Sequence, residues 1–214
     1  MMKNYGIPVA SEGWPFIIPL AVLTVLLFAF GWKNVGCVSL VLTLFILFFF
    51  RDPERSVPES KDVVVSPADG KVIVVKDIYE PDYLKQDVKQ ISIFLSVFNV
   101  HVNRAPCGGT VETVRYNPGR FHVASVDKAS LDNEQTAVVI ASGKHKVLVK
   151  QIAGLIARRI VCYAKPGDTI KTGERFGLIR FGSRVDIFLP KEAELKVRVG
   201  DRIKGARDII GVLK

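Results

Sequence analysis

One pattern, Gly-Asp-x-Ile-Lys, occurs twice near the end of the 214-residue chain, in Lys165–Gly177 (KPGDTIKTGERFG) and in Arg198–Gly211 (RVGDRIKGARDIIG). Glycine permits the positive φ angles that tight turns require, and the apolar residues that follow return the chain to a sheet. The repeat therefore predicts two related turns on a β scaffold.

The chain before this repeat alternates short β-branched runs with turn signals, which is typical of a β-rich domain. The run VVVSPADGKVIVV (Val63–Val75) predicts a strand, a turn at Asp69-Gly70 and a second strand. Further strands are predicted in the runs KQISIFLSVFNVHVNRAP, GGTVETVRYNPG, TAVVIAS, HKVLVKQIAG and RRIVCYA.

This periodic hairpin pattern is similar to the sandwiched barrel of lipoyl and biotinyl carrier domains. A carrier function requires a lysine in a Met-Lys-Met-type turn, and neither Met1 nor Met2 is placed for that role. The similarity therefore concerns the fold alone. We predict a mainly β, barrel-sandwich-hybrid-like domain behind an N-terminal α-helical membrane anchor.

The apolar content is concentrated at the N-terminus, in the uncharged runs 14–32 (WPFIIPLAVLTVLLFAFGW) and 35–50 (VGCVSLVLTLFILFFF). A membrane-spanning helix needs about 20 apolar residues and at least about 17, so the first run qualifies and the second is borderline. Two anchors fit: a hairpin of two spans that turns at Lys33-Asn34, or one span followed by a re-entrant or interfacial segment.

We expect the anchor to occupy residues 1–55 and the β-rich domain to occupy residues 56–214. Arg51 and Arg55 directly follow the apolar runs. The positive-inside rule therefore predicts that the β-rich domain lies on the cytoplasmic side of the cell (inner) membrane.

The formal net charge of +9 and the isoelectric point near 9.5 favour a polyanionic partner. No helix-turn-helix, zinc-finger or RNA-binding aromatic motif is present, so we expect an anionic membrane rather than nucleic acid. Cys37, Cys107 and Cys162 are odd in number and show no paired spacing, which predicts reduced thiols. We expect no metal, because the chain has no Cys-x-x-Cys and no close pair of histidines.

Three short motifs carry residues of catalytic types. Gly182-Ser183 lies between two apolar runs, Asp69 stands in SPADG, and His101 stands in NVHVNRAP. Each motif also has an ordinary structural interpretation, namely a bulge, a hairpin turn and a histidine in a strand. Taken singly, none of them predicts an activity.

Taken together, the motifs resemble the phosphatidylserine decarboxylase family in their order and local context. The matching segments are GIPVASEGWPF, FFFRDPER, SPADG, NVHVNRAPCGG, PGRFHVASVDKASLDNE and FGSRVDIFLP, which extend over nearly the whole chain. The two N-terminal segments resemble the short, membrane-anchored branch of the family.

The resemblance implies decarboxylation of phosphatidylserine to phosphatidylethanolamine and CO2 in phospholipid biosynthesis. It implies self-cleavage between Gly182 and Ser183 into a β chain of residues 1–182 and an α chain of residues 183–214. Ser183 would become a pyruvoyl cofactor, whose ketone forms a Schiff base with the head-group amine. The partners implied are phosphatidylserine in an anionic membrane, the two chains as a heterodimer, and further copies in a homo-oligomer.

Serine is a poor nucleophile unless a base removes its proton. His101 is the candidate base and later proton donor, and Asp69 is the candidate that orients it. His122 is predicted to contact the head group, and Arg120 and Lys128 are predicted to hold its phosphate or carboxylate.

The cleavage site differs from that of the long branch, which has Leu-Gly-Ser-Thr and two histidines three residues apart before the proline. Here His101 takes the first histidine position and Arg104 the second, so one histidine serves both reactions or another residue assists. Two other functions fit the motifs: a serine hydrolase with an intact Ser183-His101-Asp69 triad, and a non-catalytic, membrane-tethered binding module.

Overall fold

A computed structural model describes residues 8–60, 62–119, 133–154, 159–180 and 182–214. The chain divides into two compact units, of which the first ends at Glu54 and the second begins at Arg55.

The first unit is helical, with a short 3-10 turn at Ser11–Gly13, α1 at Trp14–Ala29 and α2 at Lys33–Phe49. Its helical segment Ser11–Ala29 has a mean hydropathy of 1.8 and is long and apolar enough to cross a membrane, whereas Lys33–Phe49 is shorter. Most of the exposed large apolar side chains of the described residues lie on these helices. The unit thus has the length and apolarity that a membrane anchor requires.

Hydroxyl groups join the two helices. The Thr24 Oγ1 atom lies 2.7 Å from Ser39 Oγ and 3.2 Å from Thr43 Oγ1, and all three side chains are buried. Thr24 and Thr43 also donate to the carbonyls of Leu20 and Ser39 in their own helices. Polar groups in an apolar surrounding need such partners, so this cluster fixes how the helices pair.

The second unit consists of β strands. Their bounds are β1 Val63–Val65, β2 Gly70–Glu80, β3 Gln86–Leu95, β4 Val102–Arg104, β5 Gly109–Asn117, β6 Gln135–Ser142, β7 His145–Ala153, β8 Ile160–Cys162, β9 Thr169–Ile170, β10 Arg175–Ile179, β11 Ser183–Pro190, β12 Glu194–Leu195, β13 Arg202–Ile203 and β14 Ile209–Val212. Eight of them form a curled sheet in the order β13-β2-β3-β11-β7-β6-β5-β9, and two three-stranded sheets have the orders β1-β14-β12 and β4-β10-β8. The predicted fold class, a mainly β domain of this kind behind apolar helices, is confirmed.

The repeat found in the sequence builds both ends of the curled sheet, because β13 and β9 are its terminal strands. At the β13 end the Val72 amide donates to the Asp201 carbonyl at 2.9 Å, and at the β9 end the Val111 amide donates to the Asp168 carbonyl at 2.8 Å. The two turns therefore dock on their neighbouring strands with the same backbone hydrogen bond.

The equivalence extends beyond the turns. By these pairings Ser66–Val72 (SPADGKV) corresponds to Ala105–Val111 (APCGGTV), and Gly200–Ala206 corresponds to Gly167–Gly173. Arg207 is then one extra residue, because the Asp208 and Glu174 carbonyls accept the same hydrogen bond, from the amides of Ser66 and Ala105. We call β1, β2, β13 and β14 the Asp69 half, and β4, β5, β9 and β10 the Gly108 half, after two residues at equivalent positions.

The predicted hairpin over Val63–Val75 is wrong. Strand β1 pairs with β14, whereas β2 pairs with β3 and β13 in another sheet. Gly70 begins β2 instead of forming a turn, and a Cβ atom there would lie 2.3 Å from the Phe94 carbonyl oxygen. Close approach of two strands, not turn geometry, therefore explains this glycine.

Candidate active site

Ser183 is the first residue of β11, at the centre of the curled sheet between Leu95 of β3 and Ala153 of β7. Gly182 precedes it with a φ of +63°, a backbone conformation that favours glycine. Ser183 is fully buried, and its Oγ atom makes no hydrogen bond to any described residue. A buried hydroxyl without a partner is rare in folded proteins and points to a chemical role.

His101 lies in the connection between β3 and β4 and is fully buried. Its carbonyl accepts a hydrogen bond from the Ile179 amide at 3.3 Å, and Ile179 ends β10, four residues before Ser183. Its Nδ1 atom lies 2.9 Å from the Asn99 carbonyl oxygen. A carbonyl only accepts, so Nδ1 carries the proton in the neutral ring and Nε2 is the basic nitrogen.

Asp69 precedes β2 and has other partners than His101. One carboxylate oxygen accepts the Gly205 amide at 2.7 Å, and the other accepts Arg55 Nη2 at 2.9 Å. The side chains of this ion pair are only 11% and 12% exposed. Asp69 therefore forms a nearly buried ion pair with Arg55, a partner that the sequence patterns did not reveal.

A cleft of about 510 Å³ lies at this part of the domain. Its walls include Asp69, Phe94, Ser96 and Asn99. Ser96 directly follows Leu95, whose Cα is paired with that of Ser183. Paired Cα atoms in antiparallel strands lie about 5 Å apart, so the backbone of Ser183 lies opposite a residue that directly precedes a wall residue of the cleft. Asp69 lines the same cleft directly, and His101 is linked to it through Asn99.

Arg184, which follows Ser183 on β11, is buried in a network of charged and polar side chains. Arg184 donates from Nε to Asp186 Oδ1 at 2.6 Å and from Nη2 to Ser92 Oγ at 2.7 Å. Gln90 donates to the second Asp186 oxygen at 3.1 Å. Because these side chains are almost inaccessible, they fix β11 against β3 next to the Gly182–Ser183 bond.

The cysteines are poor rivals to Ser183 as nucleophiles. All three are free, and burial raises the pKa of Cys107 to about 12 and that of Cys162 to about 11. A thiol reacts as its thiolate, and very little thiolate forms at neutral pH with such pKa values.

Among the described residues, no cluster of three or more histidines, cysteines and acidic residues is arranged to hold a metal ion. His122, Arg120 and Lys128, which were predicted to bind the substrate, lie outside the described residues.

A buried serine hydroxyl without a partner among the described residues, directly after a glycine, suits attack on the preceding carbonyl when a base accepts its proton. Comparison with known proteins agrees with this geometry, because residues 42–211 match the model of the family described as phosphatidylserine decarboxylase. The chain belongs to the phosphatidylserine decarboxylase family.

Curated members of the family align over the full length of the chain. The protein of Geotalea uraniireducens is 46% identical over 213 residues, which cover 99% of this chain and 100% of that protein. The protein of Syntrophotalea carbinolica is 48% identical over 215 residues, and that of Ralstonia nicotianae is 44% identical over 215 residues, each covering 100% of both chains. Each relative is named phosphatidylserine decarboxylase proenzyme, so the predicted family is confirmed.

Proposed function

We propose that this chain decarboxylates phosphatidylserine to phosphatidylethanolamine and CO2, using a pyruvoyl group that it makes from Ser183. The main observation in support is the buried Ser183 hydroxyl, which has no partner among the described residues and follows Gly182. The relatives' designation as proenzymes supports a chain that must be processed before it acts.

Self-cleavage begins when Ser183 Oγ attacks the Gly182 carbonyl carbon while His101 Nε2 accepts the hydroxyl proton. The Gly182–Ser183 C–N bond breaks as an ester C–O bond forms, and the former amide nitrogen gains a proton. Loss of the Ser183 α-proton and cleavage of its Cβ–O bond then release the Gly182 carboxylate. Hydrolysis then removes the nitrogen of residue 183 as ammonia, and the oxygen of water becomes the ketone oxygen of the pyruvoyl group.

His101 has the tautomer that this sequence of steps needs. The hydrogen bond from Nδ1 to the Asn99 carbonyl keeps Nε2 basic before the proton transfer. Asp69 balances the charge of Arg55 at this cleft, so the Arg55 guanidinium does not oppose the protonation of His101. Asp69 is thus a positioning and electrostatic residue, and its direct contact with His101 stays a prediction.

The pyruvoyl group supplies an electron sink for the electron pair that remains after CO2 leaves. The protonated His101 then delivers a proton to the substrate carbon. The burial of Ser183 and its neighbours excludes water from the reacting atoms, which protects a carbanion from premature protonation.

We assign residues 1–55 to a membrane anchor and residues 56–214 to the catalytic domain, on the cytoplasmic side. Cleavage gives fragments 1–182 and 183–214. Strand β11 is hydrogen-bonded to both β3 and β7, and β14 is hydrogen-bonded to β1, which supports a stable heterodimer after the cut. Substrate contacts by His122, Arg120 and Lys128 remain part of this proposal.

The proposal is tested with Ser183→Ala and with Ser142→Ala, another strand serine, as the control. The wild type and the control should each give two fragments on a denaturing gel and release CO2 from phosphatidylserine. Ser183→Ala should stay a single inactive chain.

Three results would contradict the proposal. A Ser183→Ala protein that still divides would remove Ser183 as the nucleophile. An intact wild-type chain that reacts with a serine-directed phosphonate would favour the hydrolase, and an intact chain without any activity would favour the binding module.

A further inference from the structure

The cleft that Asp69 lines has a basic wall. This basic wall consists of Lys71, Arg202, Lys204 and Arg207. Lys71, Arg202 and Lys204 make no ion pair with a described residue, and Arg207 contacts Asp208 at 2.9 Å. The acidic residue of the lining, Asp69, is already paired with Arg55. The cleft therefore offers a positive charge that nothing described in the protein neutralises.

The fold itself does not require this charge, as the Gly108 half demonstrates. The residues there that correspond to Lys71, Arg202 and Lys204 are Thr110, Thr169 and Lys171. Arg207 is an extra residue of the Asp69 half, because Glu174 corresponds to Asp208 by its hydrogen bonds. The same backbone hydrogen bonds form in both halves. Cations are thus concentrated in the half that holds Asp69, for a reason other than strand pairing.

The turn after β13, which carries Lys204 and Arg207 of the basic wall, is held in place by hydrogen bonds. The Lys204 amide donates to Asp208 Oδ2 at 2.9 Å, and the Gly205 amide donates to Asp69 at 2.7 Å. The Ala206 amide donates to the Ser66 carbonyl at 2.8 Å. A fixed backbone reduces the ordering cost when the flexible basic side chains close on an anion.

The location of the cleft suits the head group of the lipid. Ser96 brings the cleft next to the strand position of Ser183. In phosphatidylserine only a few bonds separate the amine, which must reach residue 183, from the phosphorus. Phe98 also lines the cleft with 66% of its surface exposed, which adds an apolar edge for the lipid beyond the phosphate.

We propose that the basic wall binds the phosphodiester of the phosphatidylserine substrate and so positions its amine at residue 183. This inference rests on the proposed function and names a substrate-binding surface for it. Cationic side chains form charge-assisted hydrogen bonds with phosphate oxygens, which are stronger than neutral ones.

The test compares two double variants with the same loss of charge in the full-length protein. Arg202→Thr/Lys204→Ala alters the basic wall, and the first change introduces the residue found in the Gly108 half. Lys165→Ala/Lys171→Ala alters exposed lysines on the corresponding turn of the Gly108 half. The substrate is a short-chain phosphatidylserine below its micelle concentration, so that no lipid surface attracts the enzyme.

We expect the wall variant to raise KM by about 10- to 100-fold, as loss of two charge-assisted contacts predicts. The control variant should keep the wild-type KM. KM does not depend on the fraction of chains that have matured, so incomplete cleavage of a variant leaves the comparison valid. Glycerophosphoethanolamine should compete with the substrate in the wild type and much less in the wall variant.

Equal KM values for the wall variant and the wild type would overturn the inference, as would equal increases in both double variants. An increase in KM on anionic vesicles but not with dissolved substrate would show surface attraction instead of head-group binding. Competition by inorganic phosphate but not by the phosphodiester would indicate a site for free phosphate. Failure of the wild type to mature or to release CO2 is a separate result, which would contradict the proposed function.

Discussion

Asp69 and Gly108 occupy the same place in two stretches of backbone that share their hydrogen bonds, yet their surroundings differ. Asp69 holds the Gly205 amide and Arg55, and its neighbours form the basic wall. Gly108 has no side chain, and its half has two threonines and one lysine at the positions that correspond to the basic wall. The repeated backbone therefore determines the sheet, while the side chains that differ between the halves provide the candidate chemistry.

The two central strands differ in the same way. Strand β11 pairs with β3 as β7 pairs with β6, so Arg184 corresponds to Lys146. Arg184 and its partner Asp186 are almost fully buried, whereas the side chains of Lys146 and its partner Glu112 are 53% and 36% exposed. At these corresponding positions the strand that begins with Ser183 therefore has a buried ion pair, and its counterpart has an exposed one.

Replacing Asp69 by glycine would make the Asp69 half resemble the Gly108 half and should have the largest effect. We expect self-cleavage to slow by about 100- to 10,000-fold, the range for loss of acid-base function. The Gly108→Ala control should mature at the wild-type rate, because an added Cβ there meets its nearest atoms at an ordinary 3.5 Å. Time courses on denaturing gels measure both rates.

Asp69→Asn separates the charge of this residue from its structural contact, because an amide oxygen still accepts the Gly205 amide. It should keep the fold, checked by circular dichroism, and cleave as slowly as Asp69→Gly. Wild-type cleavage by either variant would show that Asp69 takes no part in the chemistry.

The next largest effect should come from the buried Arg184–Asp186 ion pair, compared with the exposed Lys146–Glu112 ion pair. Arg184→Met leaves Asp186 buried without its cation and should lower the free energy of unfolding by about 3 to 5 kcal/mol. Lys146→Met removes an exposed partner and should cost less than about 1 kcal/mol. Urea denaturation in detergent measures both values, and equal costs would show that the two strands are fastened alike.

A smaller, pH-dependent effect should come from Glu80, which joins β2 of the Asp69 half to Lys150 on β7 at 3.0 Å. Burial pushes the pKa of Glu80 upward, but amide hydrogen bonds from Leu84 and Tyr83 and the contact with Lys150 outweigh it, so the pKa lies below 4.5. A carboxyl whose pKa is lowered by folding stabilises the protein above its unfolded pKa and loses that contribution as the pH falls through the folded value.

The melting temperature of the wild type should therefore exceed that of Glu80→Gln at about pH 7, and the difference should shrink below about pH 4.5. Glu112→Gln, in the exposed pair, is the matched control and should change the melting temperature little at either pH. A difference that persists or grows in acid would contradict the sign of this effect.

The sequence predicted most strands, because β-branched runs and turn glycines are local signals. The repeat in Lys165–Gly177 and Arg198–Gly211 correctly indicated related turns, but its partner repeat in Ser66–Val72 and Ala105–Val111 escaped notice. Those segments share little beyond a proline, a glycine and a valine. The Val63–Val75 hairpin failed because a pairing with β14, far along the chain, outweighs the local turn signal.

The candidate residues Gly182, Ser183, His101 and Asp69 were named from their motifs, and their surroundings were not. Arg55 was interpreted only as a membrane-flanking charge, although it binds Asp69 across fourteen residues of sequence. Asn99 holds His101 through a backbone carbonyl, which no residue type reveals. The basic wall combines residues from β2, from β13 and from the turn after β13, and only the sheet order brings β2 and β13 together.

The most direct test of the central claim is the intact mass of the small fragment from the purified wild-type protein. The account predicts residues 183–214 with a blocked N-terminus, lighter by the mass of ammonia than the same fragment beginning with serine. An uncut chain, or a fragment that begins with an unmodified Ser183, would contradict it.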